Sequence, residues 1–150
     1  MEWMGQLGLG LTLGLGAIGS ALGVGAAGQA AAGAWAKEAR AGQPLNFKYI
    51  ILAGMPLSQT VYSFVLMLVL IKDIVYGAAS AQYSGAMLGI GIGCGLGEFV
   101  SAWMQGVIGA AAIRAMSEGE GKPFVFSIIA MGLAETVGIF SWVFMLLMRP

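Results

Sequence analysis

Hydrophobic positions run along this chain in four long, nearly unbroken stretches, from about Gly5 to Trp35, Leu45 to Ile71, Tyr76 to Ile113 and Phe124 to Met148. None shows the period-two alternation of a half-buried strand. Each exceeds the roughly 20 apolar residues that carry a helix across a bilayer, and at ~1.5 Å per residue the longest must tilt or project beyond it. The interruptions are legible. Lys37-Glu38-Ala39-Arg40-Ala41-Gly42-Gln43-Pro44 and Ser117-Glu118-Gly119-Glu120-Gly121-Lys122-Pro123 combine charge, Gly and Pro, and a short turn is expected around Lys72-Asp73. The pattern predicts an all-α integral membrane protein of four transmembrane helices.

A displacement of 76 positions overlays the chain on itself without a gap. It aligns Gly19 with Gly95, Gln29 with Gln105, Met55 with Met131, Thr60 with Thr136 and Phe64 with Phe140, and it sets Gln59 over Glu135. We read two duplicated hairpins, residues 1–76 and 77–150, of which only the second keeps an acid at this position. The first and third stretches hold ten and nine of the 25 glycines. Small residues let membrane helices approach closely, so these two predict a crowded inner layer, with the bulkier second and fourth outside it.

Composition narrows the picture. Of 150 residues 59% are hydrophobic and 9% charged, against about a quarter charged in soluble domains, so lipid is the expected solvent and partner. The formal net charge is zero, which gives nucleic acid no electrostatic footprint. Without histidine, and with one cysteine, Cys94, in an apolar segment, the chain has neither an internal disulfide nor a Cys/His metal site. Gly14 to Gly19 and Gly23 to Gly28 match a dinucleotide-binding fingerprint. That motif has meaning only between a strand and a helix, and here both lie inside one apolar stretch, where they serve packing. The acidic start Met1-Glu2-Trp3-Met4 lacks the basic region of a secretory signal, so the first stretch is expected to remain as a span. Lys37, Arg40, Lys48, Arg114 and Lys122 flank the first and third breaks, against Lys72 and Arg149 at the other side. The excess places both hairpin loops in the cytoplasm and both termini outside. Trp3, Tyr76 and Tyr83 then mark the outer interface, and Trp35 and Tyr49 the inner one.

Candidate chemistry lies at one depth. Counted from the basic residues at the loops, Gln59 follows Lys48 by 11 positions, Glu135 follows Lys122 by 13, and Gln105 precedes Arg114 by 9, which puts all three roughly 13–20 Å inside. Met55, Ser58, Gln59 and Tyr62 fall at i, i+3, i+4 and i+7 on one helical stripe. Pro56 deprives the Leu52 carbonyl of its usual N–H, so main-chain oxygens nearby become available. A carboxylate, two amide oxygens, a hydroxyl and a carbonyl form an all-oxygen set suited to a hard cation. One negative charge neutralises a monovalent ion, whereas a divalent ion normally takes more carboxylates. Na⁺ is therefore favoured, with H⁺ as competitor. A site for protons alone leaves Ser58, Gln59 and Gln105 without a task. Tyr62 is placed to donate to Glu135. Thr136 is a further hydroxyl, turned about 100° from Glu135. Glu98, two turns from Gln105 towards the outside, is assigned a structural or cavity role.

Taken together, Met55-Pro56-Leu57-Ser58-Gln59, Tyr62, Gln105 and Glu135-Thr136 resemble the proteolipid (c or K) ring component of V-type and A-type rotary ATPases, the sodium-translocating members above all. The resemblance covers the whole chain. It implies a homo-oligomeric rotor ring of identical copies, turning against a stator membrane subunit with a basic residue and joined to a central-stalk subunit on the cytoplasmic side, in a prokaryotic plasma membrane. It implies Met55 as the carbonyl donor and Ser58, Gln59, Gln105 and Glu135 as the other Na⁺ ligands, with Tyr62 and Thr136 around them. The subunit is not an enzyme on its own. One acid per four helices raises the driving force per ion, which suits an ATP-driven pump. The rival expectation is a small four-helix, proton-coupled secondary transporter with Glu135 at its substrate site.

Overall fold

The computed structural model describes residues 2–75, 77 and 79–150. Within the bilayer core an unpaired backbone amide costs several kcal/mol, so even glycine-rich stretches stay helical. Accordingly α1 (Glu2–Arg40) is one uninterrupted helix of 39 residues. It runs past the expected loop boundary at Lys37. Its end is a Schellman motif: Gly42 adopts φ 66°, the Gln43 N–H donates to the Glu38 carbonyl (2.9 Å), and the Gly42 N–H donates to that of Ala39 (3.1 Å).

The second span combines α2 (Lys48–Gly54), a 3-10 turn at Met55–Leu57 and α3 (Ser58–Val75). The turn sits where Pro56 lacks an N–H, and the chain tightens locally rather than breaking. A short α4 (Ala79–Gln82) precedes α5 (Ser84–Glu118). The third membrane helix thus begins at Ser84, later than the Tyr76 expected from hydropathy; Tyr76 itself lies outside the described residues. α6 (Phe124–Leu147) completes the set. Four helices are long and apolar enough to cross a membrane: Trp3–Arg40, Lys48–Ile71, Ser84–Glu118 and Phe124–Leu147.

The tightest packing joins α1 to α5. A Cβ at Gly91 would overlap the Gly8 main chain, and one at Gly106 the main chain of Gly23, so the helices touch backbone to backbone at two levels. Both crossings pair residues 83 apart in the same order, which makes α1 and α5 parallel. α3 rests on α1 and α6 on α5, while α3 and α6 meet only lightly. A core of Ala27, Ala31, Tyr49, Leu52, Ile113, Met116 and Met131 fills the half nearest the hairpin loops, and Leu66, Leu70, Met87, Ile90 and Cys94 fill the other.

The loop between α1 and α2 is closed by a side chain that the sequence pattern assigned to the break itself. Glu38, in the last turn of α1, is buried at 8% exposure. It accepts from the Tyr49 hydroxyl (2.6 Å) and the Asn46 N–H (2.9 Å), while the Trp35 indole N–H donates to the Asn46 carbonyl (2.9 Å).

Candidate functional site

Where α3, α5 and α6 converge, side chains from all three helices form one hydrogen-bonded circuit. Ser58 opens it at the head of α3: its hydroxyl lies 3.0 Å from the Met55 carbonyl and 3.1 Å from Gln59 Oε1. The 3-10 turn makes this possible by drawing Met55 O and Ser58 to the same side. Gln59 is fully buried, and its amide donates to Gln105 Oε1 and Ser101 Oγ, both at 3.1 Å. Gln105, also fully buried, donates to the Met131 carbonyl and to Glu135 Oε2, each at 3.3 Å. Tyr62 closes the circuit with its hydroxyl 2.9 Å from Glu135 Oε1. The depth count thus predicts a real meeting point, although the residues come from three helices.

Both oxygens of Glu135 are therefore engaged, one from α3 and one from α5. Yet its side chain is only half-buried. It sits beside an exposed apolar row on α6, Leu133, Val137, Phe140 and Phe144. Tyr62, which holds Glu135, also lines an apolar cavity of about 340 Å³ with Val61, Val65, Ile139 and Trp142. Glu135 is thus the one acidic side chain of the circuit, and it is open to the surface on one side.

Five oxygens (Met55 O, Ser58 Oγ, Gln59 Oε1 and the two of Glu135) are linked through this circuit, and a half-turn of the Gln105 amide would aim a sixth at Glu135. Oxygen and nitrogen of such an amide are near-isosteric, so the turn leaves the packing intact. The set is all oxygen, and among the described residues no cluster of three or more His, Cys, Asp or Glu competes for a transition metal.

Two positions depart from the sequence reading. Thr136 donates to the Leu133 carbonyl of its own helix (2.7 Å) and is exposed, so it stays out of the circuit. Ser101, which that reading passed over, belongs to it: buried, it receives the Gln59 amide and donates to the Ala134 carbonyl at 2.8 Å, tying α3 to α6 through α5. Its signal was its place four residues before Gln105, on the same face of α5. Met55, Ser58, Gln59, Tyr62, Gln105 and Glu135 are all brought into one network.

Comparison with known proteins places this geometry. Residues 7–70 and 88–148 match the C-subunit family of ATP synthase. The chain belongs to that family, whose members form oligomeric rings and serve as non-catalytic membrane rotor subunits of the ATP synthase or ATPase complex. It is thus an integral membrane, ion-carrying ring subunit, and the secondary-transporter reading falls away. No curated protein matches the chain.

Proposed function

We propose that the chain is the rotor subunit of a V/A-type, sodium-translocating ATPase, and that Glu135 carries the ion. One observation carries the reading: a single half-buried carboxylate, at the end of a closed circuit of oxygen-bearing side chains from three helices. Na⁺ in the cage would be bound by Glu135, by the Ser58 hydroxyl, by the Gln59 and Gln105 amide oxygens and by the Met55 carbonyl, giving a loaded site of zero net charge. Neutrality is what permits passage along lipid, because a bare carboxylate there costs at least a few kcal/mol. Tyr62 and Gln105, which donate to Glu135, would hold the side chain in place as the ion leaves. A basic residue of the stator subunit then supplies the countercharge during exchange.

The duplicated hairpins give one such acid per four helices, so each turn moves fewer ions with more driving force for each, against about 2.3 kcal/mol per charge per 100 mV. This supports ATP-driven pumping. We place the hairpin loops, and the central stalk with them, on the cytoplasmic side of a prokaryotic plasma membrane, with both termini outside.

Carbodiimide labelling of the intact ring tests the reading, since only a protonated carboxyl reacts. At fixed pH, Na⁺ should protect Glu135 and a larger cation should not. Labelling indifferent to Na⁺ would convert the site into a proton carrier.

A further inference from the structure

Glu98 stands outside the circuit, although it shares a face of α5 with Ser101 and Gln105 at i, i+3 and i+7. It is fully buried, and among the described residues neither of its carboxyl oxygens has a hydrogen-bond partner. The side chain is seated on α6 where that helix has no side chain of its own. A Cβ at Gly138 would lie 2.5 Å from Glu98 Oε2 and 2.9 Å from Ser101 Oγ. Gly138 is three residues beyond Glu135, about 4.5 Å along the helix axis.

The surroundings of Glu98 offer an ionised carboxylate nothing. Glu135 from α6 is the ionisable group that acts on it, and Glu98 acts in turn on Tyr62 of α3 and on Cys94 of its own helix. α1, packed on the other flank of α5, has no ionisable residue between Gly5 and Trp35. Among the described side chains, none that acts on it is a cation. Glu38, likewise buried, is by contrast supplied with a tyrosine hydroxyl and a main-chain N–H. An ion without donors or a countercharge bears the whole desolvation cost, and two neighbouring carboxylates do not both ionise in such a medium.

We propose that Glu98 is a second binding site, for a proton, which each subunit keeps filled while Glu135 exchanges its ion. A neutral acid at Glu98 leaves Glu135 as the only charge that the circuit must balance. The inference holds whether the ion at Glu135 is Na⁺ or H⁺, so its test is separate from the labelling experiment above.

Infrared spectroscopy of the purified ring provides that test. In a Glu135→Gln ring at neutral pH, one carbonyl stretch of a protonated carboxyl should persist for each subunit and vanish when Glu98→Gln is added. Gly138→Ala, which presses a methyl against Glu98 and keeps both acids, should shift the same band. Absence of the band from the Glu135→Gln ring, its survival in the double variant, or its indifference to Gly138→Ala would each overturn the proposal. Glu98→Gln alone, which replaces a neutral acid by a neutral amide of the same shape, should assemble and keep its cation affinity; loss of transport in an assembled ring would make Glu98 an exchanging carrier instead.

Discussion

Gln59 and Glu135 occupy matching places 76 residues apart, but the molecule surrounds them in opposite ways. Gln59 is sealed, with its amide spent on α5, whereas Glu135 is half-open at the surface of α6. On the first and third membrane helices the division runs the other way, with the second-half residue buried. Gln105 is buried and bonded, while its counterpart Gln29 is exposed; Glu98 is buried, while its counterpart Leu22 is 46% exposed. Thr60 reaches across to Ser20 (2.7 Å), and Thr136 turns back on its own helix. The circuit draws Met55, Ser58, Gln59 and Tyr62 from the first half and Gln105 and Glu135 from the second, so the two halves build one network between them. An internal repeat therefore does not imply two equal sites.

The contrast can be broken most decisively at Glu135. Glu135→Gln should abolish ion transport by the reconstituted complex while the ring keeps its mass; residual ATP-driven flux would refute the carrier role. Next come the paired glutamines: Gln105→Ala should weaken Na⁺ by about fivefold or more, on the basis of about 1–3 kcal/mol for a lost buried partner, and Gln29→Ala should leave affinity unchanged. Equal effects in sodium titrations would erase the distinction between the halves. Tyr62→Phe removes one hydrogen bond to a charged group, worth roughly 1.5–3 kcal/mol. It should lower Na⁺ affinity by at least about tenfold and speed carbodiimide labelling. The smallest effect belongs to Thr136→Ala, which should leave both sodium binding and ring stability within the ±0.5 kcal/mol or so typical of exposed sites.

Much of this was legible from the chain alone. The spans follow from apolar length, and the meeting of Gln59, Gln105 and Glu135 follows from counting rise per residue inward from the charged loops. Three features were not legible, each for a physical reason. Glu38 was assigned to a loop because charge and Gly cluster there, yet a Schellman turn at Gly42 extends α1 and donors eight and eleven residues later draw the acid inward. The start of α5 at Ser84 was invisible because Gly77 to Tyr83 carries neither charge nor proline to mark a break. Ser101 was overlooked because a hydroxyl in a membrane helix usually bonds its own backbone, and only the approach of α3 and α6 gives it two partners across helices.

Where Gly8 meets Gly91 and Gly23 meets Gly106, α1 and α5 touch with no side chain between their backbones. Such an interface has no rotamers to yield and no gap to compress. A push on α6 at Glu135 passes through α5 into these contacts with little give, so the chain moves as one stiff body rather than shearing between its halves.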